Sequence, residues 1–373
     1  MDARTKPEAP RARPPELPKS AEPAGPIEIR IDDRFRLISA AMLLTRWGVA
    51  GTFAPTPPKL RTLEWLAPYA SLPAMRFFQR MSASIFIWGF YCLAAHRGGP
   101  PDFAPSSAPG SIDRRPLYDD LTRETGLRIK DIEAGLTESM AALYAQADFA
   151  GLWEATAPDW EAVRAQAQRV LEASGAGAWL EEFFGPLELR PVLVPMPTDP
   201  IGQGFGVDDG LEMFTMVGPP AVDRHAGGAG LWMDDGQPSR VRAGRDDRAV
   251  LLGNPFDYSL CPSYMISVPV RLWISQLITH FVVRDMGLER TTREFEELKG
   301  PLVAEVLRLW EGRAEPTRGD LGGVGPRAAS GRRRAAVVHE ALADYIEGRR
   351  TGRYACLSEF GAELRSRFNQ EGG

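Results

Sequence analysis

The sequence predicts an α+β protein, mostly helical, with a small mixed sheet packed on one apolar helix. Three observations carry that prediction. Apolar residues recur at helical spacing from about 113 to 184 and again from about 263 to 368. Between these stretches, Leu187-Glu-Leu-Arg-Pro-Val-Leu-Val-Pro195 and Leu211-Glu-Met-Phe-Thr-Met-Val217 read as strands. The order is helices, then strands, then helices, which is the signature of α+β rather than of alternating βα units.

Taken in order, residues 1–26 hold seven prolines among Lys, Arg and Glu and almost no large apolar side chains, so the segment is expected to be a disordered tail. Order begins with a short alternating strand at Ile27-Glu-Ile-Arg-Ile31. Asp32-Asp33 then starts a helix whose Phe35, Leu37, Ile38, Met42 and Leu43 lie at helical spacing. The run from Ser84 to Ala95 is apolar throughout but shorter than the roughly 17 to 25 residues of a membrane-spanning helix, and so reads as a core helix. Gly98 to Gly110 is a loop of breakers. In the first helical stretch Ile129, Ile132, Leu136, Met140 and Leu143 form one stripe, and Trp160, Val163, Ala167, Val170 and Leu171 another. Gly202-Gln-Gly-Phe-Gly206 reads as a hairpin-like turn, and Ala249-Val-Leu-Leu252 as a third strand after a polar loop. Helices are expected at about 263–287, 292–311, 332–348 and 356–368, with a Gly-, Pro- and Arg-rich loop from 312 to 331. The chain divides into the tail, a helical region over 27–186, and a sheet with further helices over 187–371.

Composition limits the function classes. The chain has 373 residues, 44% apolar, with nine Trp, enough to bury a large core. Forty-four Lys and Arg against 49 Asp and Glu leave a net charge of -5, which offers no global attraction to nucleic acid or anionic membrane. Cys92, Cys261 and Cys356 are too far apart for a thiolate cluster and odd in number, as expected of thiols in a reducing compartment. Met1-Asp-Ala-Arg opens no signal peptide, so a cytoplasmic location is expected.

The residues that could carry chemistry lie on two helices. One holds Trp273-Ile-Ser-Gln-Leu-Ile-Thr-His280; the other, some sixty residues on, holds Val337-Val-His-Glu340-Ala-Leu-Ala-Asp344. Zinc hydrolases of the thermolysin kind use two His at i and i+4, which share a helix face, with a Glu beside the first His as general base. They add a carboxylate as third ligand and leave a position open for water. Here His280 can be the second His, with Gln276 at the first-ligand position and Leu277 at the base position. Glu340 lies at the end of an apolar run, where a carboxylate needs a partner, and a cation or His280 would be one. His339 points ~100° away from Glu340 on a helix. His225 lies in a Gly-rich loop that could fold over a cleft.

At these residues the chain resembles a bacterial family of gluzincin-like zinc metallopeptidases, a domain of unknown function. The resemblance runs from about Ile27 to about Gly361. It rests on Ile29-Arg-Ile-Asp-Asp-Arg-Phe-Arg-Leu-Ile-Ser39, Leu72-Pro-Ala-Met-Arg-Phe-Phe78, the region from Leu152-Trp153 to Trp160, Phe183-Phe-Gly185, and a second strand running into Gly218-Pro. It implies that His280 and Glu340 are metal ligands and that Asp344 orients a ligating His. It also implies a gluzincin-like fold, with the cleft between the sheet edge and the helix at 335–348.

The chain departs from the family where the chemistry sits. A Gln amide is a weak zinc ligand beside imidazole. Leu277 cannot take a proton from metal-bound water, a role contributing on the order of 100 to 10,000-fold in rate. The reading that follows is a catalytically degenerate peptidase homologue with a structural network where the zinc site stood, holding a peptide or protein in the remnant cleft. The rival readings are a metal-dependent hydrolase using His280, Glu340 and a further ligand such as His225, with zinc as cofactor, and a structural subunit of a complex.

Overall fold

The computed structural model describes residues 27–46, 56–108, 114–200, 204–218, 229–234, 237–242, 262–312 and 329–370. The tail at 1–26, the strand expected at 249–252, the loop with His225, Cys261 and most of the Gly-, Pro- and Arg-rich loop before residue 329 lie outside them.

Chain order begins with β1 (Glu28–Ile29) and α1 (Asp33–Leu43), followed by α2 (Pro57–Leu66), α3 (Pro73–Ser82) and α4 (Ile87–Ala95). Each start has a local cause. The Asp32 carboxylate caps α1 by accepting from the Arg34 N–H, and Thr56 caps α2 by accepting from the Lys59 N–H. Pro57 and Pro73 occupy first-turn positions, where no N–H is needed. Four helices follow: α5 (Arg114–Thr125), α6 (Ile129–Gln146), α7 (Phe149–Ser174) and α8 (Ala176–Phe184).

Strands β2 (Arg190–Pro195), β3 (Gly204–Asp208) and β4 (Glu212–Val217) complete a mixed four-stranded sheet with the order β1-β2-β4-β3. β1, β2 and β4 run parallel, and β3 is antiparallel to β4 at the edge. A separate antiparallel hairpin joins β5 (Ala229–Asp234) to β6 (Gln237–Arg242), where the sequence reading had only loop. The last helices are α9 (Pro262–His280), α10 (Arg293–Glu311), α11 (Ala329–Thr351) and α12 (Leu357–Gln370).

Both faces of the sheet are covered, and strand alternation sorts the side chains between them. Leu193, Met213 and Val217 join Trp273, Ile274 and Ile278 of α9 in one core. Val192, Val194, Phe205, Val207, Phe214 and Met216 join Phe35, Phe90 and Tyr91 of the N-terminal helices in the other. The N-terminal ends of the parallel strands are tied by charge. Arg30 bonds Glu28 and Glu212, and Arg190 pairs with Glu212 at 2.8 Å.

The sheet leaves no break in packing at residue 186. β1, within the strand expected at Ile27–Ile31, belongs to the region 27–186 yet pairs with β2 across that boundary, and α8 packs into the same core as α9. By length and composition the helix Met265–Asp285 could cross a membrane. Its apolar face is occupied here: it packs on β3, β4, α7 and α10 as the central core helix. Within the apolar run from Ser84 to Ala95, Ile87–Ala95 forms a core helix, α4, buried along most of its length.

Candidate functional site

The site follows from the alternation of β3. Phe205 and Val207 face the N-terminal helices, so Gly204, Gly206 and Asp208 belong to the opposite side, toward α9. Gly204, Phe205 and Gly206, within the run expected to be a turn, are therefore strand, and Gly202 and Gln203 lie outside the described residues. A Cβ on Gly204 would lie 2.2 Å from Val268 Cγ1, and one on Gly206 would lie 3.2 to 3.3 Å from the Gln276 amide group. Glycine in this strand lets a helix approach the backbone. The turn itself comes two residues later. Asp208 accepts from the Gly210 N–H, and Asp209 accepts from Leu211 and Glu212, which closes the β3–β4 hairpin.

On α9, Leu272, Ser275, Gln276, Thr279 and His280 form one stripe at helical spacing. They line a cavity of about 150 Å³ together with Trp88, Gly206, Asp208, Arg290 and Lys299. The expectation that Gln276 and His280 share a face is met in this cavity. His280 is 9% exposed, and its Nε2 lies 3.7 Å from Asp208 Oδ2, beyond hydrogen-bond length. Neither ring nitrogen of His280 nor Gln276 Oε1 makes a hydrogen bond. Trp88 donates its indole N–H to the Gly206 carbonyl at 3.1 Å.

Beyond His280 the helix widens into a π turn, Phe281–Asp285, in which the Met286 N–H reaches the Phe281 carbonyl. Such turns occur often beside functional sites. This one brings Asp285 close enough for its carboxyl to feel His280. Burial pushes that carboxyl up, opposed by a hydrogen bond from Ser358. Asp285 and His280 also line a smaller recess of about 60 Å³ with Leu277 and Ser358. Charge around the main cavity is mixed. Burial pushes the Arg290 guanidinium down, opposed by Glu296. The Cys92 thiol behind it is pushed up by burial, and the nearby Asp208 charge adds to that.

The other residues singled out from sequence lie elsewhere. Glu340 is exposed on α11, and Asp344, also exposed, pairs with Arg367 of α12 at 2.5 Å. α11 packs chiefly on α10 and α12, so its carboxylates do not line the His280 cavity. The expected cleft between sheet edge and this helix is instead bounded by β3, α4, α9 and the start of α10. His339 is exposed and bonded to Glu305 at 2.8 Å. Leu277 is 8% exposed, within the core built around α9.

These positions do not suit the zinc that the family resemblance implies. Gln276 and His280 converge, but the carboxylate assigned as third ligand does not join them. Among the described residues no three His, Cys, Asp or Glu side chains are grouped to hold a metal ion. What the cavity lining carries is hydrogen-bonding groups and charge: a buried amide oxygen without a partner, an imidazole beside a carboxylate, and the side chains of Arg290 and Lys299. Sequence reasoning missed Trp88, Asp208, Arg290 and Lys299. Only Asp208 had a local signal, the alternation Gly-Phe-Gly-Val-Asp ending in an Asp-Asp-Gly turn.

No protein-family model, curated protein or solved structure matches the chain.

Proposed function

We propose that the chain is a degenerate gluzincin-like peptidase homologue that binds a peptide or protein segment in the His280 cavity without hydrolysing it. The observation that carries this reading is the set of buried polar atoms lacking partners around one cavity: Gln276 Oε1 and both His280 ring nitrogens. Each such group forgoes about 1 to 3 kcal/mol, which a ligand bearing matching donors and acceptors restores. An apolar Leu277 at the base position supports binding without hydrolysis. Strand addition along β3 would meet the Trp88 indole at Gly206, so the contact runs through side chains rather than the strand edge. A reducing cytoplasmic setting accords with the free thiols of Cys92 and Cys356.

The test is a dye-labelled hexapeptide library offered to the full chain, with zinc and with chelator. Binding that persists in chelator and weakens on Gln276→Ala, without cleavage, is the expected result. Cleavage that disappears with chelator and with His280→Ala would restore the hydrolase reading.

A further inference from the structure

We propose that the seam between β3 and α9 is a gate: the two elements part locally in the folded chain and admit water, or a ligand group, to polar side chains that the closed form shuts away. The inference needs no ligand, so it stands or falls apart from the peptide reading. If both hold, the gate is the route by which a segment reaches Gln276.

The groups buried there set the cost of staying closed. Arginine nitrogens aside, the buried side-chain polar atoms without a hydrogen bond among the described residues are Thr215 Oγ1, Trp273 Nε1, Gln276 Oε1 and both ring nitrogens of His280. Thr215 is fully buried on β4. Met213 and Val217, two residues to either side, join the core around α9, so strand alternation turns Thr215 the same way. It is in register with Gly206, the β3 residue whose missing Cβ makes room for the Gln276 amide. Trp273, Gln276 and His280 belong to α9 itself. A dry contact that leaves donors and acceptors unmatched is costly, and parting it returns them to water.

Little holds this seam shut. No β3 residue belongs to the core built on α9: Phe205 and Val207 go to the opposite core, while Gly204, Gly206 and Asp208 face α9 with no apolar side chain. Asp208 Oδ2 lies 3.7 Å from His280 Nε2, so no hydrogen bond spans the seam at that point. β3 is also an edge strand, laddered to β4 alone. On its side, α9 has slack at two points. Pro269 interrupts the hydrogen-bond ladder, and past His280 the helix widens into the π turn Phe281–Asp285. Gln276 and His280 lie between these breaks. The cavity of about 150 Å³ is bounded by both elements, so the seam starts from a void rather than from full packing.

The experiment uses the full chain with Thr215→Cys or Leu193→Cys and a small thiol reagent, methyl methanethiosulfonate, the labelled peptides being located by mass spectrometry. Leu193 is the control: it is in register with Thr215 on the neighbouring strand, equally buried, and one strand further from the edge. The thiol at 215 should react at least about 10-fold faster than the thiol at 193, at a rate that low urea leaves unchanged, the mark of local rather than global opening. Equal rates that climb together with urea mean global unfolding alone and overturn the gate. Thr215→Val is the second arm, and it decides if the cysteine variants do not fold. Losing a hydroxyl that has no partner should raise the melting temperature. A fall instead shows that the hydroxyl is bonded in the closed form, which removes the reason to open and overturns the proposal. Either failure leaves the peptide reading to the library test.

Discussion

Lys59 carries a buried charge that no motif announces. It is 5% exposed in the first turn of α2, and burial pushes its ammonium down to about 8 even though Asp199 lies near enough to oppose the shift. Asp199 is itself buried and accepts from the Tyr91 hydroxyl at 2.7 Å. Between pH 8 and ~10.4 the unfolded chain holds a proton on Lys59 that the folded chain has lost, so this residue's contribution to stability rises with pH. Below pH 8 both states are charged and the full burial penalty applies. Comparing wild type with Lys59→Met isolates this residue from the other groups that titrate. The difference in unfolding free energy should move toward wild type by about 2 kcal/mol between pH 7 and pH 10, measured by urea denaturation. A difference that stays flat would mean that Lys59 titrates at its ordinary value.

Among the elements, α9 and α11 were weighted equally in the sequence reading and differ in the fold. α9 is the core helix, with Trp273, Ile274 and Ile278 fully buried and Leu277 nearly so. α11 buries Val338, Ala341, Leu342 and Tyr345, while Glu340 and Asp344 face outward. Leu277→Ala should therefore cost about 2 to 5 kcal/mol through cavity formation. Asp344→Asn removes a partly exposed ion pair with Arg367 and should cost less than about 1 kcal/mol. Thermal melts of the two variants measure that contrast, and equal losses would place Asp344 in a buried network after all. Periodicity correctly identified both helices because each has an apolar face. It could not rank their polar residues, because a charged side chain beside an apolar run can also lie on the solvent face of the same helix.

For the whole molecule, the central fact is a sheet covered on both faces, with its strands drawn from the start and the middle of the chain. β1 comes from the first thirty residues or so, yet it pairs with β2, and the two faces of β2 belong to different cores. A fragment of residues 27–186 would lack the three longer strands and expose the apolar side chains of α1 and α4 that pack on them. It should therefore fail to unfold cooperatively, whereas the chain from 27 to 373 should melt in a single transition by calorimetry. A cooperative melt of the short fragment would restore a domain boundary near 186.

The sequence by itself determined the helical stripes, the strands at β2 and β4, the cap at Asp32 and the shared face of Gln276 and His280. All of these depend on neighbours a few residues apart. Tertiary structure alone decided which carboxylate His280 meets. Asp208 reaches it because two glycines let β3 lie close against α9, and Glu340 does not because α11 packs on α10 and α12. Arg290 and Lys299 join the same cavity from a loop and from another helix. Such meetings depend on how distant elements stack, and no local pattern encodes that.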